Sequence, residues 1–463
     1  MEAFNNIEGL RPFFEPKSVA IIGLSRKTGQ GQHNALENLL DYGYEGRIYP
    51  VNPNAKEILG VKVYPSVKDI DGPVDLAVLV TPRTQVPMHV RNCAEKGIKC
   101  ITIVTQGFTD AGDAEGTNLF AEILETADTH GCRILGPNSF GSANAFFKFG
   151  SSFARVTMQP NPVGLICQSG GLFNGLSEYS FVGKAIDIGN ICNIDFADCL
   201  EYFEHDPEVK VIVLHIEGMP EVTRFLKVAS RVSRRKPIVA IKTGRSEQAA
   251  RAAQSHTGSL AGKNEIWDAA LKQAGIITVN SLEELVDTTR VLCMLPPVKK
   301  TEVCVVTFSG GTAIMALDGL RDSSLQAGSL SPSTLSELRK IAPPWLPIGN
   351  PVDYWPMVMG SDDRLKMMED IFKVILKDDK FGSLLFIQII HGAAQSHETI
   401  HFLNKLVSQY PDKPIVAALV GPYGAECVKE LQMEGRILAF HAPERAARAL
   451  VRSFQYAQAH PEC

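Results

Sequence analysis

Short runs of β-branched and other apolar residues alternate with longer amphipathic segments along the chain. The first runs cover residues 19–23, 47–52 and 75–80, and glycine or proline follows most such runs. Short buried strands separated by helix-length segments are typical of parallel sheets with helical crossovers. The pattern therefore predicts an α/β protein made of doubly wound parallel sheets.

The predicted strands form three groups, separated by irregular, proline-bearing segments near residues 150–162 and 295–300. Clusters of this composition mark linkers. We predict three α/β domains, over residues 8–150, 160–295 and 300–458. The remaining predicted strands cover residues 100–105, 133–138, 163–168, 184–189, 209–217, 237–244, 275–280, 302–308, 383–390, 414–421 and 436–441.

The second and third groups look like two copies of one unit. A strand ending in Ser-Gly-Gly occurs at residues 167–171 and 307–311, and Lys-Pro-Ile-Val-Ala occurs at 236–240 and 413–417. In the first copy a longer segment follows the second phrase, and this segment contains residues 255–263. Unequal loops on matched scaffolds are common places for a function to be added.

That longer segment reads Ser-His-Thr-Gly-Ser-Leu-Ala-Gly-Lys and carries a single histidine, His256. With no second histidine or cysteine nearby, it is a poor metal site, and we predict no metal. A neutral imidazole can instead accept a phosphoryl group and pass it on. Its other ring nitrogen then needs an acceptor. Glu217, at the end of the apolar run 211–216, is the best candidate. The plainer alternatives are an exposed loop histidine and a surface or helix-capping acid.

Glycine-bearing turns after strands provide three candidate anion sites. The turn at residues 23–31 also carries Arg26 and Lys27, but its spacing is not G-x-G-x-x-G. The second strand ends in Asn52-Pro53 rather than in an acidic residue, which disfavours a nicotinamide cofactor. The two Ser-Gly-Gly turns suggest one phosphate held between two helix ends, the alternative being ordinary turns inherited by duplication.

Composition narrows the class of protein further. The 463 residues carry a net charge of -5 with no long basic run, which argues against a nucleic-acid surface. No apolar run is long enough to span a bilayer, and the first residues lack a secretion signal, so a cytoplasmic protein is expected. The ten scattered cysteines are interpreted as reduced, mostly buried thiols.

Six short phrases occur in a fixed order between about residues 8 and 455, and together they are highly specific. They are F-x-P-K-S-V-A-I-I-G (14–23), G-R-I-Y-P-V-N-P (46–53), Q-G-F (106–108), G-P-N (136–138), Q-S-G-G (168–171) and S-H-T-G-S-L-A-G (255–262). The ordered set resembles the α subunit of NDP-forming acyl-CoA synthetases, the group of ADP-forming acetyl-CoA synthetase within the succinyl-CoA ligase superfamily.

The resemblance implies that the first domain is Rossmann-like and binds coenzyme A (CoA), and that the other two are flavodoxin-like ligase domains. The second domain would carry a phosphohistidine, His256, oriented by Glu217. It places the acyl group near Phe173 and Asn174. The phosphate would be held by the turns Ser169, Gly170 and Gly171, and Ser309, Gly310 and Gly311. The implied CoA contacts are Gly23, Ser25, Arg26, Lys27, Gly29, Gln30, Gly31, Asn52, Pro53, Lys56, Thr105, Gln106 and Asn138.

The implied reaction is acyl-CoA + ADP + phosphate ⇌ acid + CoA + ATP, through an acyl phosphate and phosphohistidine. No ATP-grasp region is recognisable in the chain, so the resemblance implies a separate ATP-grasp β subunit that brings ATP or ADP and Mg²⁺, in an α2β2 assembly. The acid, the direction and the choice of ADP or GDP stay open. Two positions differ from the family's usual pattern: Ser139, where cysteine is common, and Arg83, where a small residue is usual.

Two other functions remain as alternatives. One is a non-catalytic protein that binds CoA or acyl-CoA and regulates a partner. The other is a CoA-transferase or acyltransferase with a covalent acyl-enzyme. The second would need an exposed nucleophilic carboxylate or thiol, and no cysteine here has an evident activating base.

Overall fold

A computed structural model describes residues 6–29, 33–157, 159–175, 182–246, 248–249, 264–434 and 437–460. The chain divides into two compact units, residues 1–289 and 290–463. The first unit contains two large sheets, and the second unit contains one. The sheets are mainly parallel, which confirms the predicted α/β class.

The first sheet of the first unit is entirely parallel, with strand order β2-β1-β5-β6-β7. A small antiparallel hairpin, β3 and β4, stands beside it. The strands β1, β5 and β6 are mostly apolar, and all of their residues are buried, as expected for central strands covered on both faces. The strands are β1 (Ser18–Ile22), β2 (Arg47–Val51), β3 (Glu57–Ile58), β4 (Val61–Lys62), β5 (Leu76–Leu79), β6 (Cys100–Ile103) and β7 (Arg133–Leu135).

The second sheet has seven strands in the order β14-β13-β12-β10-β11-β8-β9. The strands β8 and β9 form a hairpin, and β8 pairs antiparallel with β11. Residues 141–150, which the sequence assigned to the first domain, therefore extend the second sheet. The strands are β8 (Gly141–Asn144), β9 (Phe149–Gly150), β10 (Val163–Cys167), β11 (Lys184–Asp187), β12 (Val211–Ile216), β13 (Ile238–Lys242) and β14 (Ile277–Val279).

The sheet of the second unit is parallel, with main order β16-β15-β18-β19-β20, and β17 also pairs with β15. Without β17 this is the order of β11-β10-β12-β13-β14, which agrees with the predicted repeat. The strands are β15 (Glu302–Thr307), β16 (Gln326–Ala327), β17 (Val352–Asp353), β18 (Ser383–Ile389), β19 (Ile415–Val420) and β20 (Leu438–Phe440). The three-domain boundaries stay a prediction.

Helices connect most of the parallel strands. In the first unit they are α1 (Asn6–Phe14), α2 (Ala35–Tyr42), α3 (Val86–Glu95), α4 (Ala114–His130), α5 (Gly170–Gly175), α6 (Phe196–His205), α7 (Val222–Val232) and α8 (Asn264–Gln273). The helix α9 (Leu282–Met294) crosses the boundary between the units. In the second unit they are α10 (Gly310–Gly319), α11 (Pro332–Ile341), α12 (Trp355–Val358), α13 (Arg364–Leu376), α14 (Ala393–Gln409), α15 (Gly424–Glu434) and α16 (Pro443–Ala459).

Local sequence explains where several helices begin and end. Asn34 caps α2 by accepting hydrogen bonds from the backbone N–H groups of Leu36 and Glu37, and Gly43 ends it at φ 70°. Asp195 begins α6 with a reciprocal capping box formed with Asp198. Among the described residues, no helix is long and apolar enough to cross a membrane.

The two sheets of the first unit share one apolar core. The ring of Phe14, from α1, stacks on Tyr202 of α6 with 4.6 Å between centroids. An ion pair of 2.8 Å between Arg133 of β7 and Asp198 of α6 adds a polar link. The relative position of the first two sheets is thus fixed by both packing and charge.

Candidate functional site

A cavity of about 330 Å³ lies at the carboxyl edge of the first sheet. We call it the first-sheet cavity. Three of its residues are among the predicted CoA contacts, and the others were not predicted. It is lined by Gly23, Leu24, Ser25, His33, Ala35, Val80, Val104, Thr105 and Phe153.

Two asparagines shape the loop that borders this cavity. The Asn34 side chain donates to the carbonyls of Ser25 and Lys27, at 3.0 and 3.1 Å. The Asn52 side chain donates to the Leu24 carbonyl at 2.9 Å. Asn52, a predicted CoA contact, therefore holds the loop in place. Asn34 was missed because capping a helix gives no signal of a second role.

The strand-to-loop turn itself requires glycine at its first position. Gly23 has φ 86°, and an added Cβ would lie 2.5 Å from Cγ2 of Thr81. Further along, the backbone N–H of Gly29 donates to both carboxylate oxygens of Glu37, at 3.1 and 3.0 Å. An anion that binds this N–H has to displace Glu37.

The other predicted CoA contacts are distributed around the same edge. Most have exposed side chains, and Thr105 donates to the Thr81 carbonyl at 2.6 Å. Gln30 and Gly31 lie outside the described residues. The exposed residues are Ser25, Arg26, Lys27, Gly29, Pro53, Lys56 and Gln106, while Gly23, Asn52, Thr105 and Asn138 are partly buried.

Arg83, the unusual residue of the first domain, is paired rather than free. Its guanidinium donates to Asp113 at 2.9 Å, to Glu115 at 2.5 Å and to the Gly107 carbonyl at 2.8 Å. Its positive charge is thus offset by two carboxylates, and its guanidinium holds the Q-G-F turn beside the predicted CoA contact Gln106.

The second cluster of site residues lies at the carboxyl edge of the second sheet. Ser169–Gly171, which we call the β10 turn, follows β10 and leads into α5. The first N–H groups of a helix have no partner within it and can hold an anion. Gly170 is required by close approach, because an added Cβ would lie 2.0 Å from carbons of the Phe140 ring.

Glu217 follows β12, and its main chain is held from both neighbouring strands. The Gln168 side-chain oxygen accepts hydrogen bonds from the N–H groups of Glu217 and Gly218, at 2.8 and 3.1 Å. From the other side, Nζ of Lys242 donates to the Glu217 carbonyl at 2.8 Å. We call Gln168, Glu217 and Lys242 the carboxylate clasp. Because β12 pairs with β10, Glu217 lies at the end of the strand beside the β10 turn.

Two members of this clasp were not predicted. Lys242 is 7% exposed, and burial lowers its pKa, while Glu217 acts in the opposite direction. Gln168 appeared only as the first letter of the Q-S-G-G phrase. Their polar side chains at strand ends were the available signal, but only the pairing of β10, β12 and β13 shows what they contact.

A fully buried carboxyl, Asp187, ends β11 at the same edge. It accepts hydrogen bonds from the N–H groups of Phe140, at 2.7 Å, and Gly189, at 3.2 Å. Burial raises its pKa to about 7, and the nearby Glu217 acts in the same direction. Sequence reasoning missed Asp187 because it lies inside the predicted strand 184–189, and no local pattern shows that its carboxyl meets the main chain of Phe140 and Gly189.

His256 and its phrase lie outside the described residues, so its role stays a prediction. Of the two residues predicted near the acyl group, Phe173 is 1% exposed and Asn174 is exposed. In the described part of the chain, no group of three His, Cys, Asp or Glu side chains is arranged to hold a metal ion.

The second Ser-Gly-Gly turn belongs to the second unit, where it begins α10. The Ser309 N–H donates to the Thr307 hydroxyl at 3.1 Å, and the hydroxyls of Thr307 and Thr312 both donate to the Ser309 carbonyl at 2.8 Å. These bonds fix the turn that precedes the helix. That the two Ser-Gly-Gly turns share one phosphate stays a prediction.

Comparison with known proteins finds two domain families along the first part of the chain. The CoA binding domain family matches residues 17–145, and the succinyl-CoA ligase like flavodoxin domain family matches residues 160–292. The acetate–CoA ligase [ADP-forming] I subunit alpha of Pyrococcus furiosus is 36% identical in an alignment of 465 positions that covers 97% of this chain and 98% of that protein.

Longer relatives also align with the chain. The acetate–CoA ligase [ADP-forming] of Methanocaldococcus jannaschii is 35% identical over 95% of this chain, but the chain spans 62% of that protein. A solved structure of acetyl-coenzyme A synthetase 1 from Candidatus Korarchaeum cryptofilum, in complex with phosphate and ADP, superimposes with a TM-score of 0.87. It is 32% identical, covering 98% of this chain and 97% of that one.

The fold and these matches define a ligase of the succinyl-CoA ligase-like class with a CoA-binding domain. Within this class, the chain belongs to the family of ADP-forming acyl-CoA ligase α subunits.

Proposed function

We propose that this chain catalyses the CoA- and histidine-dependent half of a reversible acyl-CoA ligase: acyl-CoA + ADP + phosphate ⇌ acid + CoA + ATP. The observation that carries the proposal is the carboxylate clasp, which fixes Glu217 on the strand beside the β10 turn. The turn proposed to hold phosphate and the carboxylate proposed to orient the imidazole follow adjacent strands.

In the first step, a phosphate oxygen held at the β10 turn attacks the thioester carbonyl. The C–S bond breaks, CoA leaves as the thiol after taking a proton, and an acyl phosphate forms. The first-sheet cavity holds CoA, through Gly23, Ser25 and Thr105. The Gly170 N–H and its helix end stabilise the negative charge of the phosphate.

In the second step, the unprotonated ring nitrogen of His256 attacks phosphorus, and the P–O bond to the acyl oxygen breaks. The carboxylic acid leaves as its carboxylate. Glu217 accepts the N–H of the other ring nitrogen and stabilises the positive charge of the ring. A terminal oxygen of ADP then attacks phosphorus, the N–P bond breaks, and ATP and neutral His256 result.

The nucleotide would be bound by a partner. We propose a separate ATP-grasp β subunit that supplies ADP or ATP, Mg²⁺ and a second phosphoryl-accepting histidine, in a cytoplasmic α2β2 assembly. The Methanocaldococcus relative supports this division, because the chain accounts for only 62% of that protein.

Labelling with phosphate tests the proposal directly. The purified chain is incubated with acetyl-CoA and ³²P-phosphate, and acid-labile, base-stable label is measured as expected for phosphohistidine. His256→Ala should abolish the label, whereas His205→Ala, an exposed histidine at the end of α6, should keep it. CoA binding without label in the wild-type chain would instead support a non-catalytic CoA-binding regulator.

A further inference from the structure

Phe140 lies between the two halves of the proposed site. Its half-buried ring contacts Phe153, with centroids 4.8 Å apart, and Phe153 lines the first-sheet cavity. On its other side, the ring leaves no room for a Cβ at Gly170 of the β10 turn. One aromatic side chain therefore touches both the cavity wall and the candidate phosphate turn.

The main chain of Phe140 is fixed by β11. The Phe140 N–H donates to Oδ2 of Asp187 at 2.7 Å, and the Ser139 hydroxyl donates to the backbone carbonyl of Asp187. The Ser139 oxygen also accepts the N–H of Gly141 at 2.8 Å. Three consecutive residues of the loop after the G-P-N phrase are thereby held, directly or through Ser139, by the buried Asp187.

The turn that follows β11 also contacts the loop that carries Phe140. Gly189 has φ 52°, and an added Cβ would lie 2.3 Å from the Pro137 carbonyl oxygen. The Asn190 N–H donates to that oxygen at 2.9 Å. The second carboxylate oxygen of Asp187 accepts the Gly189 N–H. Asp187 thus connects the Phe140 loop with the turn at Gly189.

Under the proposed function, the reaction determines which part of the substrate lies beside Phe140. A thioester whose CoA part occupies the first-sheet cavity, and whose carbonyl carbon meets phosphate at the β10 turn, must place its acyl group between them. Phe140 contacts both places. A rigid aromatic ring there limits the space that an acyl group can fill.

We propose that Phe140 sets the size of the acyl group accepted by this chain, and that Asp187 is the positioning residue that holds Phe140 in place. The favoured acyl groups are short and aliphatic. Bulkier aryl or branched groups meet the ring.

Binding titrations test the role of Phe140 without requiring turnover. Dissociation constants of CoA, acetyl-CoA and phenylacetyl-CoA are measured calorimetrically for the full chain and for Phe140→Ala. The affinity for phenylacetyl-CoA relative to acetyl-CoA should rise about tenfold, and that for CoA should change by less than about threefold. An unchanged ratio in a folded variant overturns the proposal. Phe140→Leu, which keeps more packing, should shift the ratio less but in the same direction.

Phe153→Ala is the matched aromatic control. Because Phe153 lines the first-sheet cavity, its loss should weaken the binding of all three ligands equally and leave the ratio of the two acyl-CoA affinities unchanged. A ratio that moves as far in Phe153→Ala as in Phe140→Ala would remove the special role of Phe140.

Asp187→Asn tests the positioning role. An amide offers one acceptor oxygen where the carboxyl offers two, so one of the two backbone N–H groups loses its partner. The affinity ratio should shift about threefold in the same direction as in Phe140→Ala. Asp195→Asn, a partly buried acid at the start of α6, should not shift it.

A double-variant cycle separates positioning from general destabilisation. If Asp187 acts through Phe140, adding Asp187→Asn to Phe140→Ala should not change the ratio further. Independent, multiplicative effects would overturn the positioning role. Since these titrations need neither phosphoryl transfer nor a partner, a failed titration and a failed phosphate-labelling experiment report on different claims.

Discussion

The second sheet and the sheet of the second unit share a strand order but differ in chemistry at their carboxyl edges. In the second sheet, Val163 of β10 pairs with Val211 of β12. In the sheet of the second unit, Val303 of β15 pairs with Ser383 of β18. These registers align the two sheets residue by residue. The following positions correspond: Gln168 with Phe308, His215 with Ile387, Glu217 with Ile389, and Lys242 with Leu419.

Every polar residue in this set has an apolar counterpart. Phe308 accepts no backbone N–H as Gln168 does; its ring packs on Trp355 with 4.1 Å between centroids. The fold is therefore maintained without the polar residues. Polar residues at these positions are therefore not required by this type of sheet, and the proposed function would account for the carboxylate clasp.

The amino edges of the same two sheets have stayed alike. Lys236 donates to the Phe203 carbonyl at 2.6 Å, and Lys413 donates to the Phe381 carbonyl at 2.6 Å. Both lysines begin the Lys-Pro-Ile-Val-Ala phrase. The two sheets therefore share contacts at their amino edges and differ at their carboxyl edges, which is the edge where α/β folds usually carry their functional residues.

The largest expected effect comes from Glu217→Gln. The amide cannot stabilise a positively charged imidazole, so the rate of phosphate labelling should fall by about a hundredfold or more. Rapid-quench labelling with ³²P-phosphate measures it. Ile389→Leu, at the corresponding position of the other sheet, should leave the rate unchanged. Labelling of Glu217→Gln at the wild-type rate would remove Glu217 from the reaction.

Lys242→Met should lower the labelling rate by about tenfold, because the Glu217 carbonyl loses its donor. Stability should change by less than about 2 kcal/mol, since the lost hydrogen bonds are offset by removal of a buried charge. Rate and urea denaturation are compared with those of Leu419→Met, which should alter neither appreciably. Equal rates for the two variants would contradict a role for Lys242 in holding Glu217.

Gln168→Leu imitates the apolar counterpart Phe308. It leaves the N–H groups of Glu217 and Gly218 without their acceptor, which should cost about 1–3 kcal/mol of stability. The labelling rate should fall severalfold. Gln168→Glu restores an acceptor and is expected to recover stability more than Gln168→Leu does. A leucine variant as stable as the wild type would show that these N–H groups do not need Gln168 as their acceptor.

The smallest effect concerns pH and His215. Burial, with a further contribution from Lys242, lowers the pKa of His215 to about 4. Since the unfolded chain binds this proton near pH 6.5, the stability contribution is present above about 6.5 and is lost as pH falls toward 4. His215→Leu should remove about 2 kcal/mol of that loss at pH 5.

Thermal denaturation at pH 7.5 and 5.0 measures this difference. Asp187, which titrates in the opposite direction, is present in both proteins and cancels in the comparison. Ile387→Leu, at the corresponding position in the second unit, should show no such dependence on pH. A melting temperature of His215→Leu that falls with pH as steeply as the wild type's would contradict the prediction.

Much of the fold follows from the sequence alone. All fourteen predicted strands are present, and their ends differ from the prediction by at most three residues, as for 133–138 and Arg133–Leu135. Apolar runs bounded by glycine or proline specify buried strands through local composition, and two similar series of runs specify two similar sheets. The family resemblance, carried by motifs in order, is confirmed by relatives that match nearly the whole chain.

Only the tertiary structure decided which segments pair and which side chains meet. The β8–β9 hairpin contains buried polar residues such as Ser142, so no apolar pattern marked it as an extension of the second sheet. The Gln168 and Lys242 contacts with Glu217 depend on strand register, and the Asp187–Phe140 contact depends on two segments far apart in sequence. Local periodicity encodes burial, but the partner of a buried polar group is set by the geometry of the assembled sheets.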